Sequence, residues 1–250
     1  MDSDVLAAVL GALVAGAGGL LVPRLIAFIP EIEPPAEPEP EPEADGAGPG
    51  SGPEEPPEPF ADIAGLPGLA WKSALVAVVA GLVLGTALGW HWEWLMWVPL
   101  VPAYVALALV DWRTRLLPTY VIRPLYLVLV ALILVGWAVT GDRHAVVTAA
   151  LGWLVYGGLF VLLWFIYPRG LGYGDVRLSG VLGLALGWLG WHELIVGLYG
   201  AVLLGGILGA VLALLKVVDR RNNPFGPYML IGALVGAVWG PGIWSGLYGG

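Results

Sequence analysis

The stretch "LGWLVYGGLFVLLWFIYPRGLGYGDVRLSGVLGLALGWLGW", residues 151–191, decides the class of fold. Two apolar runs flank a short polar junction, 168–177, that carries Arg169, Asp175 and Arg177. A hydrocarbon layer about 30 Å thick is crossed by roughly 20 apolar residues of helix. Backbone N–H and C=O groups have no water to bond there, so such runs read as membrane helices. Asp175 at the junction is then either a solvated loop residue at the membrane border or a functional group. The choice depends on what else the chain places on the same side.

Composition extends the membrane reading to the whole chain. Hydrophobic residues make up 58% of the 250 positions and charged residues 12%, too few to cover a water-soluble domain. The net charge of −8 is misleading as a guide to partners. Eleven acidic residues lie between Glu31 and Asp62, and without them the balance is +3. The absence of cysteine excludes disulfides and thiolate chemistry. His91, His144 and His192 are scattered, so neither a metal site nor a cofactor is expected. The first apolar stretch, Val5 to Ile29, follows an acidic "MDSD" where a secretory signal needs basic residues, and it is expected to be a permanent helix.

The predicted fold is all-α, with about eight spans near 5–29, 72–90, 94–111, 121–140, 145–168, 176–191, 194–217 and 227–246. Residues 1–29 form the first helix and 64–250 a seven-helix core. Between them, 30–63 reads as a disordered linker, because its Pro, Glu and Gly content offers little to bury. Alternating the spans puts Arg24, Lys72, Arg113, Arg115, Arg123, Arg169, Arg177, Lys216, Arg220 and Arg221 on one side, and Arg143 alone on the other. By the positive-inside rule the shared side is cytoplasmic. Trp90, Trp92, Trp94, Trp97, Trp188 and Trp191 cluster at the opposite border and are expected in an interfacial belt. Glycine pairs such as Gly183 and Gly187, and Gly232 and Gly236, read as helix-packing positions.

Beyond residue 63 the carboxylates are Glu93, Asp111, Asp142, Asp175, Glu193 and Asp219. Glu93, Asp142 and Glu193 fall in outer loops, and Asp219 sits among basic residues in "KVVDRR" as a surface ion pair. Asp111 closes the third span and Asp175 opens the sixth. Both therefore stand at the cytoplasmic border, where helices can bring two carboxylates together for acid–base work. Asp175, at a helix start, has the dipole that favours its charge; Asp111, at a helix end, is the expected holder of a proton.

"DWRTRLLP" (111–118), "GLGYGDVRL" (170–178) and "NPFGPYMLIG" (223–232), in this order, resemble the type IV prepilin peptidases, membrane aspartyl proteases of the GxGD class. The opening "AGAGGLLVPRLIAFIPE" (15–31) is similar to that family's first helix. The resemblance implies a bacterial inner-membrane enzyme that cleaves the short basic leader of a prepilin or pseudopilin on the cytoplasmic side, just after a glycine, where the leader meets an apolar helix. By motif position the catalytic pair would be Asp111 and Asp175. Gly172, Gly174, Arg177 and Pro118 would support the site or bind substrate, the glycines by letting substrate approach Asp175. Arg177 stands where the family usually carries Lys, a substitution that keeps the charge but changes the donor geometry.

Many family members insert, between the first two spans, a four-cysteine zinc domain that supports N-methylation of the new pilin terminus. Here the Pro-Glu linker stands in its place, so the expectation is peptidase activity without methyl transfer. Its acidity offers a second expectation, long-range attraction of a basic leader. The expected partners are the lipid bilayer and the prepilin substrate, with no nucleic acid; no oligomeric state is implied. A proton- or cation-coupled transporter or a non-catalytic scaffold is the alternative from a different class, and an intramembrane protease of the presenilin kind a lesser one.

Overall fold

In the computed structural model the described residues are 2–31, 57–166, 171–208 and 224–249, and the regular structure among them is helical throughout. The chain opens with α1 (Ser3–Gly19), turns at Leu20 and Leu21, and restarts as α2 (Val22–Ala27), where Pro23 occupies the first turn, which needs no proline N–H. Then come α3 (Phe60–Ala64) and α4 (Leu69–Leu88). A short α5 (Trp92–Trp97) runs through a tight turn, Val98–Leu100, into α6 (Val101–Thr114). After α7 (Thr119–Thr140), α8 (Arg143–Gly152) widens into a π turn at Trp153–Gly157 and continues as α9 (Gly158–Ile166). The site-bearing α10 (Tyr173–Leu189) is followed by α11 (Trp191–Leu203) and α12 (Gly226–Tyr248).

All eight expected spans contain helix among the described residues, but not all are long. Five helical stretches are long and apolar enough to cross a membrane: Leu69–Leu88, Trp92–Thr114, Thr119–Thr140, Arg143–Ile166 and Gly226–Leu247. Two shorter apolar helices are Ser3–Gly19 and Trp191–Gly206. The expected sixth span, α10, is a helix of 17 residues. It is also the most enclosed, touching α5, α7, α8, α9, α11 and α12, and nearly every residue from Val176 to Trp188 is buried. A helix surrounded by protein does not need the length or side-chain bulk of one facing lipid.

Helices pair closely where small residues line up: α1 along α4, α8 along α10 and α11 along α12. Gly183 and Gly187 of α10 face Gly152 and Thr148 of α8, and Gly232 and Gly236 of α12 face Gly197 and Ala201 of α11, as their spacing predicts.

The tryptophans depart from expectation. Trp92, Trp94 and Trp188 direct their indole N–H groups to Leu132 O, Ala7 O and Glu93 Oε1, at 3.0, 3.0 and 3.2 Å, tying helices together. Trp90 and Trp191 stay exposed. An indole is as well suited to bridging two helices as to resting at a lipid border, because each setting has one apolar and one polar side.

The expected linker, 30–63, is folded at its far edge. Phe60 and Ile63 bury themselves in α3 against α2 and α6, and Glu31 accepts hydrogen bonds from Phe60 N and Ala61 N at 3.0 and 2.8 Å. Two large apolar side chains suffice to anchor this turn, so the boundary of the core moves back to about residue 59. Residues 32–56 lie outside the described residues, as do Arg169, Lys216, Asp219, Arg220 and Arg221.

Candidate active site

Asp111 occupies the last turn of α6, and the chain leaves that helix abruptly. Arg115 adopts a left-handed conformation, φ 58° and ψ 25°, and returns its N–H to Asp111 O at 2.8 Å. It is the one non-glycine with positive φ among the described residues, a conformation that carries strain. Leu116 to Pro118 then run extended. Pro118 (φ −66°, ψ 124°) sets the start of α7, since a proline ring suits a helix boundary and not a helix interior.

Asp175 lies in the first turn of α10, three residues after Gly172. Its Oδ2 accepts the Gly172 N–H at 3.0 Å, while Asp175 N donates to Gly172 O at 3.1 Å. This reciprocal clasp fixes the carboxylate at the helix start. Oδ1 is buried and has no hydrogen-bond partner among the described residues.

The two carboxylates line one cavity of about 460 Å³. Both are buried, Asp111 at 3% and Asp175 at 7% exposure. Asp111 Oδ2 accepts the N–H of Gly226, the first residue of α12, at 2.8 Å. Each carboxylate is thus held by a main-chain donor from a separate turn. Two pinned carboxyl groups facing one small space can hold a water and share its protons.

Gly172, Gly174, Arg177 and Pro118 line the same cavity. Arg177 donates to the Thr119 hydroxyl and its guanidinium lies over the Tyr173 ring, 4.6 Å from the centroid. It therefore joins the start of α10 to the start of α7, with Tyr126 Oη donating to Arg177 O at 3.1 Å. Gly174 also has a packing reason of its own. A side chain there would place Cβ 2.7 Å from Leu117 Cβ, so its bareness lets α10 close against the segment following Asp111.

Sequence reading missed several contributors. Gly226 lies in the third motif but had no role, and a Cβ at that position would stand 2.6 Å from Asp111 Oδ2. Ile29, Pro30, Glu31 and Phe60, at the two ends of the expected linker, form part of the cavity wall. Residues 29–31 close the opening stretch noted above but were given no part in the site. Arg113, two residues beyond Asp111, makes a paired contact with Glu58, Nε to Oε2 at 2.7 Å and Nη2 to Oε1 at 2.6 Å. That contact holds the Glu58 carboxyl below its ordinary range. Among the described residues, no three His, Cys, Asp or Glu side chains gather as a metal-binding group.

Residues 98–214, which contain both aspartates, match the type IV leader peptidase family. The "Prepilin leader peptidase/N-methyltransferase" of Aeromonas salmonicida (strain A449) is 34% identical over 174 residues, covering 68% of this chain and 57% of that protein. The proteins of the same name from Pseudomonas putida and Escherichia coli (strain K12) are 31% identical over 179 residues and 35% identical over 140. These alignments cover 69% and 52% of this chain, and 58% and 57% of those proteins. The likeness is thus to the type IV leader peptidase family, over just under half of the chain. The chain spans a little over half the length of these relatives. No solved structure matches it. The leader peptidase match ends at residue 214, so Gly226, which holds Asp111, lies beyond it, and the wall formed by residues 29–31 and Phe60 lies before it.

Proposed function

We propose that this chain is a membrane aspartyl endopeptidase that removes the short leader from type IV prepilin-like substrates at the cytoplasmic face of a bacterial inner membrane. The observation that carries the reading is the pair Asp111 and Asp175, both buried, drawn from separate helices to one cavity and each held by a main-chain N–H. The clustering of basic residues on one side supports the cytoplasmic orientation.

In the proposed reaction Asp175 is ionised and Asp111 protonated. Asp175 takes a proton from a water as its oxygen attacks the carbonyl carbon of the scissile peptide, and Asp111 gives its proton to the carbonyl oxygen. The tetrahedral intermediate collapses when the C–N bond breaks. The departing nitrogen takes the proton held by Asp175, and Asp111 recovers its own from the hydroxyl of the intermediate. The start of α10 favours charge on Asp175, while on Asp111 the end of α6 opposes charge and the Gly226 N–H at the start of α12 supports it; the assignment follows the helix that carries each aspartate. Arg177 acts as a positioning residue for the two segments that carry the pair.

The reading excludes methylation of the new terminus. The relatives are named for both activities, but this chain has no cysteine with which to build the zinc domain that the resemblance links to methyl transfer. The test for both parts is to incubate the purified full-length protein with a synthetic prepilin and labelled S-adenosylmethionine, then to determine product masses. Free leader and a pilin with an unmodified amine are expected. Intact substrate would overturn the peptidase reading, and label in the pilin would overturn the second part alone.

A further inference from the structure

A second cavity, about 490 Å³, lies between α4, α6 and α12. We propose that this groove is the docking surface for the apolar helix of the substrate that follows the cleaved bond. The proposal rests on the peptidase reading and adds where the enzyme holds the membrane part of its substrate.

Position is the first argument. Ala108, Leu109 and Trp112 of α6 line the groove, while Asp111 on the adjoining face of the same turn lines the catalytic cavity. At the other wall, Pro227 lines the groove, and the preceding residue, Gly226, donates to Asp111. A helix seated in the groove therefore ends within about one turn of the catalytic carboxylates.

Shape is the second. On α4 the lining runs from Leu69 to Leu84, roughly 22 Å at 1.5 Å per residue. This is more than half of a hydrocarbon layer about 30 Å thick. Small residues from three helices, Ala80, Ala108 and Ala233, contribute to the wall; such residues let a further helix approach closely.

The third argument separates a peptide from lipid tails. Asp111 and Trp112 on one side, and Gly226 and Pro227 on the other, pass directly from one cavity to the other. An occupant of the groove that continues as a polypeptide chain is delivered from this end to the two aspartates, whereas an acyl chain has no peptide bond to present there.

The experiment uses the full chain in lipid nanodiscs with two synthetic substrates, a whole prepilin and a soluble peptide that stops a few residues after the scissile bond. Ala108→Leu and Ala80→Leu narrow the groove without entering the catalytic cavity. Each is expected to raise KM for the whole prepilin about tenfold at unchanged kcat, and to leave cleavage of the short peptide unaltered. In parallel, p-benzoylphenylalanine replaces Ile231 in the groove or, as a control, the exposed Leu134 of α7. Irradiation should join the substrate helix to position 231 and not to 134. An unchanged KM, or adducts at 231 only to phospholipid or to a second copy of the chain, would overturn the docking proposal while leaving the protease intact. Failure of the unsubstituted protein to cleave either substrate would overturn both.

Discussion

Gly226 donates its main-chain N–H to Asp111 Oδ2 across 2.8 Å and 115 positions of sequence, and it can do so only because it has no side chain. A Cβ on residue 226 would stand 2.6 Å from that oxygen, so Gly226→Ala must push the carboxylate or the start of α12 aside. Misplacing a reacting group by about 1 Å costs on the order of 100-fold in rate. Gly226→Ala is expected to lower kcat by about that factor while the protein still inserts and extracts normally; near-parental turnover would show that the Gly226 contact does not position Asp111.

The two carboxylates themselves are expected to be individually indispensable. Asp111→Asn and Asp175→Asn each remove a proton acceptor or donor that the other cannot replace, a loss of about 100- to 10,000-fold. Asp219→Asn should retain most activity. Cleavage of synthetic prepilin by equal amounts of folded, detergent-extracted variants is the measurement, and substantial turnover by either Asn variant at the pair would remove the acid–base assignment.

Gly174 offers a test of packing against substrate access. Gly174→Ala would set its new Cβ 2.7 Å from Leu117 Cβ, an overpacking expected to lower stability by about 1–3 kcal/mol. Leu117→Gly removes the opposing atom, and although it costs stability itself because a buried side chain is lost, Gly174→Ala should cost much less in the Leu117→Gly background than in the parent. An equal cost of Gly174→Ala in both backgrounds, measured by thermal melting, would remove the packing explanation and favour substrate access.

The Glu58–Arg113 pair supplies a pH-dependent readout. Its hydrogen bonds lower the folded-state pKa of Glu58 from the ordinary 4.5. A lowered folded-state value means that the pair stabilises the fold at neutral pH, and that this stabilisation fades as pH falls below 4.5 toward the lowered value. Because both side chains are partly exposed, the contribution is no more than about 0.5 kcal/mol. Glu58→Gln should melt slightly lower than the parent at neutral pH and with no difference in strong acid. An equal gap at both extremes would assign the effect to packing and not to charge.

How much of this could be read from the residues depends on the range of the interactions. Asp111 and Asp175 stood out because the apolar spans are almost free of other carboxylates, and because the alternation of spans put both at one expected border. Their sharing of a single cavity is tertiary, set by α10 closing on Leu117 and by α12 starting at Gly226. No local pattern announces which distant N–H reaches a given carboxylate. Glu31 and Phe60 were hidden for the same reason, inside a segment whose average composition argues against order. The border reading missed the burial of Trp94 and Trp188, since position near a span end cannot tell a lipid border from a buried helix contact. The sixth span was legible even as a short one, expected at 176–191 and found at Tyr173–Leu189.

The hydrogen bonds from Phe60 and Ala61 to Glu31 have a consequence for how the chain can change over time. They hold the departure and return points of the 32–56 segment side by side at the edge of the cavity that holds the two aspartates. Once the ends of a loop are joined by the surrounding fold, each doubling of its length adds only about 0.6 kcal/mol of closure entropy. Insertions at this point are therefore almost free of penalty to the helical core. The same two anchors could carry a brief acidic tether in one lineage and an independently folded module in another, with the aspartates undisturbed by the exchange.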